Sequence, residues 1–294
     1  MDSKVKSLYP NYLTIPAVLV FGVFFVLPTL AAFVLGFTDW NLDRLLNPKF
    51  NGIDNFVNIF SDEYFILSIK NTLIFAVLTA TLKVAFGLVL ALALNRRMYS
   101  RDLLRTVFYL PAVLSMVVVG IIFSSIFRME GMFNHILGFF GLTELQIDWI
   151  GGANTALYTT IVAEIWRWSG FNMAVFLAGL QAISSDYYEA ARIDGASSFK
   201  QFTKVTMPLL MPAFTVNFTF NTIGGLKVFD QVFVITAGGP GYASQVFSTY
   251  IYSAFSQGLL GRSTAMGLIL FIGVYIISTT LNYLLKKKEL DSNV

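Results

Sequence analysis

Four ionisable residues lie inside long apolar stretches of this chain and are the first candidates for chemistry. Glu164 and Arg167 are three residues apart, as are Lys227 and Asp230, so each pair shares one face of a helix. Charges inside a membrane span are costly and are usually paired or functional. We therefore expect two intramembrane charge pairs, each serving as a structural pair or as a gating contact with another protein. A fifth charge, Lys83, is expected to snorkel or to face an interior polar partner.

Amide side chains form a second group of candidates. Asn217 and Asn221 are four residues apart and therefore share one helix face. Amides donate to and accept from hydroxyl groups, which would suit a polar cargo, but they also hold membrane helices together. Asn172 and Trp166 lie in the preceding apolar stretch, where Trp166, together with Trp168, offers a stacking surface or an interface anchor. We treat Asn172, Asn217, Asn221 and Trp166 as candidates for a substrate path.

A polar, charged segment at 184–208 separates two of the long apolar stretches. Asp186 could cap a short helix, with Glu189 at the third helical position closing a capping box. Gly195 allows the positive φ that ends such a helix and turns the chain. A connection of this length between two spans is expected to meet a partner.

A second short helix is expected after this turn. Ser198 with Gln201 repeats the capping pattern, and Phe199, Phe202 and Val205 recur at helical spacing. The resulting apolar stripe would pack against the membrane helices or dock onto another protein.

Composition places all these residues in a membrane protein. Of the 294 residues, 56% are hydrophobic and only 13% are charged, whereas soluble domains carry about 25% charged residues. There is no cysteine and only one histidine, His135, so thiolate nucleophiles and a histidine-pair metal site are excluded. No Gly-Lys dipeptide occurs, so the chain lacks the phosphate-binding loop of an ATPase. The net charge of +3 does not indicate nucleic acid, because the basic residues flank apolar segments.

Six apolar segments are long enough to cross a bilayer, which takes about 20 helical residues. They divide the chain into an N-terminal tail at 1–12, a six-helix domain at 13–285 and a C-terminal tail at 286–294. The predicted spans are 13–37, 73–94, 107–127, 156–180, 209–235 and 265–285.

The basic residues predict the orientation of these spans. Clusters of lysine and arginine all fall on one side of the predicted membrane, and by the positive-inside rule that side is cytoplasmic. Both termini and the segment 184–208 are therefore expected in the cytoplasm. The clusters are Lys4 and Lys6; Arg96, Arg97, Arg101 and Arg105; Arg192, Lys200 and Lys204; and Lys286, Lys287 and Lys288.

The spacing within 184–208 resembles the cytoplasmic coupling motif of ATP-binding-cassette (ABC) importer permeases, Glu-Ala-Ala-x3-Gly-x9-Ile-x-Leu-Pro. Glu189, Ala190, Ala191, Gly195 and Pro208 occupy the motif positions. Valine and methionine replace the usual isoleucine and leucine just before the proline, and both keep apolar bulk. Further stretches similar to sugar-type permeases of this superfamily are 108–111, 166–170, 179–181, 224–230 and 236–240.

The resemblance implies an all-α membrane protein with six transmembrane helices of the type I ABC importer permease fold and a cytoplasmic coupling helix pair. It also implies that one set of residues contacts the ATPase. These are Tyr188, Glu189, Ala190, Ala191, Asp194, Gly195, Phe199, Phe202 and Pro208.

The same resemblance implies a set of partners and a location. They are a second, homologous permease, two ABC ATPase subunits, an extracytoplasmic solute-binding protein, the lipid bilayer and a sugar or oligosaccharide, with no nucleic acid. The chain itself would be no enzyme and hold no cofactor and no metal, since ATP and Mg would bind to the ATPase subunits. It would move the sugar by alternating access across a bacterial or archaeal cytoplasmic membrane.

A secondary transporter or channel for a small polar solute is the alternative. Such proteins usually show internal repeats and ion-site carboxylates near the midplane, whereas the intramembrane acids here lie beside bases. A membrane enzyme is poorly supported, because no nucleophile, metal cluster or convergent acid pair occurs.

Overall fold

A computed structural model describes residues 11–96 and 98–292, without the side chains of residues 11, 291 and 292. Most of the predicted N-terminal tail at 1–12, and Arg97, lie outside the described residues. The described chain is helical throughout, and its only β pairing is one isolated antiparallel bridge between Thr38 and Phe50. The all-α fold expected from the sequence is confirmed.

The described residues form fifteen α-helices, which are numbered α1 to α15 in chain order. The first two are joined by a π-helical turn at Gly22–Val26, and a second π-helical turn at Phe202–Thr206 joins α10 to α11. The helices are α1 Ile15–Phe21, α2 Leu27–Leu35, α3 Asp54–Phe60, α4 Glu63–Leu94, α5 Arg101–Val113, α6 Met116–Phe127, α7 Met132–Phe139, α8 Ala156–Ala182, α9 Ser185–Ile193, α10 Ser198–Gln201, α11 Met207–Leu209, α12 Met211–Leu226, α13 Asp230–Thr236, α14 Phe247–Ser256 and α15 Leu260–Ser292. Short 3₁₀ turns occur at Asn11–Thr14, Leu42–Arg44 and Thr143–Leu145.

Four helical segments of the described chain are long and apolar enough to cross a membrane: Tyr12–Leu35, Glu63–Leu94, Met116–Phe139 and Leu260–Leu290. The predicted span at 156–180 coincides with α8, which is long enough but carries polar and charged residues. The helix at the sixth predicted span continues to Ser292, so the three C-terminal lysines belong to α15.

Two of the six predicted spans are broken. The segment 107–127 is interrupted between α5 and α6, where Leu114 and Ser115 are extended. Pro111, which lacks a backbone N–H, lies near the end of α5 and favours this break. The segment 209–235 is interrupted between α12 and α13, directly after the Gly224–Gly225 pair.

The chain forms two compact units. The first comprises the described residues up to Asp62 together with Ile251–Phe271. Within it, the backbone N–H of Gly261 donates to the carbonyl oxygen of Trp40 at 2.7 Å, and Arg262 pairs with Asp62. The side-chain amide of Asn55 donates to the backbone carbonyls of two residues that follow α2.

The second unit comprises Glu63–Tyr250 and residues 272–292, and it contains the candidate sites. Its core forms where α8 packs along α4, α5 and α12. Two glycines permit close approaches of helix backbones. A Cβ on Gly170 would overlap the backbone carbonyl of Phe108 on α5, and one on Gly225 would lie 2.6 Å from the Cα of Ala76 on α4. Glycine at these positions therefore allows the helix backbones to come into contact.

Candidate functional site

The breaks of both interrupted helices lie beside one small pocket in the second unit. This polar pocket has a volume of about 220 Å³. Membrane proteins that bind polar solutes often place discontinuous helices at the binding site, since freed backbone groups can then line a cavity. The lining residues are Lys83, Met116, Glu164, Arg167, Trp168, Phe220, Asn221, Gly224, Lys227, Val228, Phe229, Asp230 and Gln231.

A buried ion pair joins α4 to α8 at the wall of the pocket. The Nζ of Lys83 lies 3.0 Å from the Oε1 of Glu164, and the two side chains are only 3% and 12% exposed. The expectation that Lys83 faces an interior polar partner is thus met. The expected pair of Glu164 with Arg167 is wrong, because the Glu164 carboxylate pairs with Lys83 on α4 and not with Arg167 on its own helix, α8.

Arg167 instead binds the break between α5 and α6. Its Nη2 donates to the carbonyl oxygen of Leu114 at 3.1 Å, and its Nη1 lies 2.9 Å from the sulfur of Met116. The guanidinium also lies 5.1 Å from the ring centroid of Trp168. Arg167 therefore satisfies a carbonyl that the end of α5 leaves free, and it fixes this end next to the pocket.

The other expected pair, Lys227 with Asp230, is also not formed. Lys227 caps the end of α12 and Asp230 opens α13, and no ion pair joins them within the described structure. The helix break separates the two side chains, which the prediction had placed on one continuous helix. Both charges line the pocket and are exposed to it.

Gln231 is the residue of the pocket with the most unusual environment. It is only 2% exposed, yet neither its side-chain nitrogen nor its oxygen has a hydrogen-bond partner among the described residues. A buried amide without partners costs free energy, so such groups usually have a functional or solvent explanation. Its position at the wall of the pocket makes it a candidate for contact with a polar cargo.

The three asparagine candidates are brought together in one cluster, which we call the amide cluster (Asn172, Asn217 and Asn221). Asn221 donates to the side-chain oxygen of Asn172 and to the carbonyl of Asn217, and Asn217 donates to the carbonyl of Asn172 at 3.4 Å. All three are buried, and the cluster links α8 to α12. Only Asn221 lines the polar pocket.

Trp166 lies elsewhere. It is 43% exposed and lines an apolar groove between α4, α5 and α8, while its ring contacts Phe123 at 5.3 Å between centroids. The tryptophan that reaches the polar pocket is Trp168, two residues later. The helix turns by about 200° over two residues, so the two rings face different surroundings.

The polar segment at 184–208 forms two short helices, as the sequence suggested. Its first helix, α9, is capped by Ser184, whose hydroxyl accepts from the backbone N–H of Asp186. The prediction of Asp186 as the cap is therefore wrong, because α9 begins at Ser185, two residues earlier than predicted. Gly195 has a φ of +72°, and the backbone bonds Gly195 to Arg192 and Ala196 to Ala191 form a Schellman motif.

The second helix begins one residue earlier than predicted. Ser197 is its cap, and Ser198 is the first residue of α10, which spans a single turn before the π-helical turn. Phe199 is 75% exposed, whereas Phe202 and Val205 are half-buried. The extra residue of the π turn breaks the helical spacing, so the expected continuous apolar stripe is reduced to one exposed ring.

A single hydrogen bond connects the two halves of this segment near the membrane helices. The hydroxyl of Tyr188 on α9 lies 3.0 Å from the Oγ1 of Thr206, a buried residue at the end of the π turn. Thr206 is followed immediately by α11, which contains Pro208. Glu189, Ala190, Asp194 and Gly195 are exposed, Ala191 is half-buried, and Pro208 is half-buried.

The segment after α13 is held firmly to α4. The side chain of Asn71 donates to the carbonyls of Ala243 and Gln245, both at 2.9 Å, and the hydroxyl of Thr72 accepts from the N–H of Phe247. Tyr64 packs on Tyr242 with 4.3 Å between ring centroids. These contacts fix the turn that follows α13 and thereby the position of that short helix.

Sequence reasoning missed the roles of Gln231 and of the Asn71 and Thr72 contacts. A signal existed for Gln231, since it is an amide in an apolar stretch next to Asp230. No local signal pointed to Asn71, because its partners lie more than 170 positions away.

The chain has long apolar helices, and two of its helices break beside a polar pocket. This architecture is that of an all-α membrane permease. The family model for the binding-protein-dependent transport system inner membrane component matches residues 83–289, and the chain belongs to this family.

Relatives and a solved structure agree with this assignment. The chain is 33% identical over 281 residues to a probable starch degradation products transport system permease protein of Thermoanaerobacterium thermosulfurigenes, covering 94% of this chain and 93% of the relative. It is 33% identical over 285 residues to the trehalose/maltose transport system permease protein MalF of Thermococcus litoralis, covering 96% and 94%. A chain of a bacterial ABC transporter involved in the import of the acidic polysaccharide alginate superimposes with a TM-score of 0.83 at 26% identity, covering 97% and 96%.

Proposed function

We propose that this chain is a permease subunit of an ATP-driven ABC importer that moves a sugar or oligosaccharide into the cytoplasm. The observation that carries the proposal is the match of this family over 83–289, which includes the polar pocket and both short helices of 184–208. Two relatives are named for starch degradation products and for trehalose and maltose, and the similar structure for alginate, which supports a carbohydrate cargo.

The polar pocket is the proposed cargo contact in this subunit. It offers the free amide of Gln231, the charges of Lys227 and Asp230, and the ring of Trp168. Sugar hydroxyls can both donate and accept, so an amide with two unpaired polar atoms suits them. The amide cluster borders the pocket at Asn221, and its members are engaged with one another.

Coupling to ATP is proposed to run through α9 and α10. In this view a cleft of an ATPase subunit receives Glu189 and the small residues Ala190 and Ala191. Asp194 and Gly195 form the turn, and the exposed ring of Phe199 adds apolar contact. The hydrogen bond from Tyr188 to Thr206 then carries the movement of α9 to the start of the membrane helices at Pro208.

The proposed partners are a second permease, two ATPase subunits that bind ATP and Mg, and an extracytoplasmic binding protein. A chain of the alginate transporter in complex with its alginate pentasaccharide-bound periplasmic protein is similar, with a TM-score of 0.81, which supports the last of these. ATP would drive the cycle because the closed ATPase dimer binds one state of the permease pair more tightly than the other.

Because the chain has no cysteine, its orientation can be tested with single cysteines. With both termini in the cytoplasm, Ser198→Cys should react with an impermeant thiol reagent only in inverted vesicles. Asn51→Cys should react only from the opposite side. The reversed pattern would contradict the orientation and the coupling role together.

The transport function is tested by reconstituting the chain with its co-purifying subunits in proteoliposomes. We expect labelled oligosaccharide to accumulate only with ATP on the side of α9 and with the binding protein on the other side. Asp102→Asn should leave this uptake unchanged, because Asp102 is 84% exposed on α5 and does not line the pocket. Uptake driven by an ion gradient without ATP would refute the proposal in favour of a secondary transporter.

A further inference from the structure

The amide cluster fixes the direction in which its one pocket-lining member points. Asn221 lines the polar pocket, whereas Asn172 and Asn217 do not. An asparagine can turn either its nitrogen, which donates, or its oxygen, which accepts, toward a cavity. The atom of Asn221 that faces the pocket therefore decides which groups of a cargo can bind there.

The orientation starts from Asn172, because one of its partners can only accept. The Nδ2 of Asn172 lies 2.9 Å from the carbonyl oxygen of Trp168, one turn earlier on α8. A carbonyl oxygen has no hydrogen to give, so the nitrogen of Asn172 must point to it. The oxygen of Asn172 is then the atom that accepts from the Nδ2 of Asn221.

A second contact holds Asn221 in the same orientation. Its Nδ2 also donates to the backbone carbonyl of Asn217 at 2.7 Å. The two hydrogens of this nitrogen are thus directed at two acceptors within the amide cluster. Turning the amide over would place its oxygen against two other oxygens, so both contacts favour the same orientation.

The side-chain oxygen of Asn221 is left for the pocket. It accepts no hydrogen bond within the described structure, and it keeps contact with solvent, whereas the oxygen of Asn217 is fully buried without a partner. Asn221 as a whole is only 2% exposed and lines the pocket, so its accessible oxygen faces the pocket. The amide cluster therefore presents an acceptor there and not a donor.

A neutral acceptor at this point complements the cationic groups of the pocket. Arg167 and Lys227 also line it, and their side chains can only donate hydrogen bonds. A sugar hydroxyl can donate to Asn221 and accept from a cationic group at the same time. An ether oxygen or a methylated hydroxyl cannot donate, so it cannot use Asn221.

We propose that Asn172 is a positioning residue for cargo binding. It acts through Asn221, whose oxygen it holds toward the pocket as the acceptor for a hydroxyl group of the cargo. This inference rests on the proposed function, since it concerns the same pocket. It goes further by giving Asn172 a role in recognition, whereas a buried amide between membrane helices commonly serves helix packing alone.

The orientation is tested by NMR of the chain, labelled with heavy-nitrogen asparagine and assembled with its co-purifying subunits in detergent. Asn221→Leu identifies the side-chain signal of Asn221 by its loss. We expect both side-chain protons of Asn221 to exchange slowly with water, and Asn172→Leu to speed this exchange several-fold. Thr222→Val is the matched control and should leave it unchanged, because the Thr222 hydroxyl donates to the carbonyl of Phe218, outside the cluster. Rapid exchange in the wild-type complex would overturn the proposal.

Uptake in proteoliposomes separates positioning from helix packing. We expect Asn221→Leu and Asn172→Leu each to lower uptake per assembled complex by about fivefold, the change that corresponds to one hydrogen bond. The double variant should be no worse than either single variant, because Asn172 acts only through Asn221. Asn172→Asp keeps the accepting oxygen, so it should recover most of the uptake that Asn172→Leu loses.

The proposal would be overturned by multiplied losses in the double variant, by unchanged uptake in Asn172→Leu, or by equal losses in Asn172→Leu and Asn172→Asp. Gel filtration measures assembly of each complex. Poor assembly of Asn172→Leu with normal uptake per assembled complex would also overturn it, because Asn172 would then only join the helices. If the wild-type complex shows no ATP-dependent uptake, the proposed function fails, and the exchange rates at Asn221 still decide the orientation by themselves.

Discussion

The ion pair between Lys83 and Glu164 allows a quantitative prediction. Lys83→Met removes the only ion-pair partner that Glu164 has among the described residues, and Glu164→Gln removes the charge that neutralises Lys83. The double variant Lys83→Met/Glu164→Gln removes both charges and leaves side chains of similar size. We expect each single variant to be much less stable than the double variant.

The magnitude follows from burial. With side chains only 3% and 12% exposed, neither charge can be solvated by bulk water once its partner is lost. Breaking a buried pair by removing one partner costs about 3–5 kcal/mol, whereas replacing both partners with apolar or neutral groups is often nearly neutral. The coupling free energy in a double-mutant cycle should therefore be at least about 2 kcal/mol in favour of the double variant.

The measurement is a denaturant titration of the purified complex in detergent, followed by tryptophan fluorescence. The exposed pair of Asp102 with Arg105 provides the matched control. Because exposed pairs contribute only about 0–1 kcal/mol, Asp102→Asn should shift the midpoint little.

Additive destabilisation, with the double variant as unstable as the sum of the singles, would refute this reasoning. It would mean that the two charges do not depend on each other in the folded protein. The pocket would then have to be described without this pair.

Three further predictions concern the pocket and the coupling segment. Gln231→Leu replaces a buried amide without partners, so we expect the complex to gain about 1 kcal/mol of stability in the same titration. We also expect it to lose uptake, and unchanged uptake would exclude Gln231 from the cargo path. Tyr188→Phe deletes the hydroxyl that contacts Thr206, and we expect reduced uptake while the ATPase still co-purifies; full uptake would exclude this link. Gly195→Val introduces a branched side chain at a positive φ, which should cost about 1–3 kcal/mol of stability and uncouple ATP hydrolysis from uptake. Gly22→Val is the control and should not uncouple them, because Gly22 is in a helical position and an added Cβ would have no neighbour within 4 Å.

The helix content and the turn at Gly195 could be predicted from the sequence because they depend on local signals. Apolar length predicts spans, and glycine is the residue that tolerates a φ of +72° at a helix end. The helix starts could not be predicted to the residue, since neighbouring polar side chains offer alternative caps: Ser184 and Ser197 are used in place of Asp186 and Ser198.

The polar contacts of the pocket could not be predicted in the same way, because they join distant parts of the chain. Spacing on one helix suggested Glu164 with Arg167, but the partner of Glu164 lies 81 positions away on α4. The break after α12 likewise separates Lys227 from Asp230. A pattern on one helix does not show which neighbouring helix offers a better partner.

The most direct test of the central claim is ATP-dependent sugar uptake by Glu189→Lys. Glu189 is exposed on α9 and accepts no side-chain hydrogen bond within the described structure, so the substitution should leave the fold of this chain intact. We expect the reconstituted complex to lose both ATPase recruitment and uptake, because a reversed charge at a docking contact leaves the partner's charge unmatched. Wild-type recruitment, hydrolysis and uptake in this variant would contradict the account.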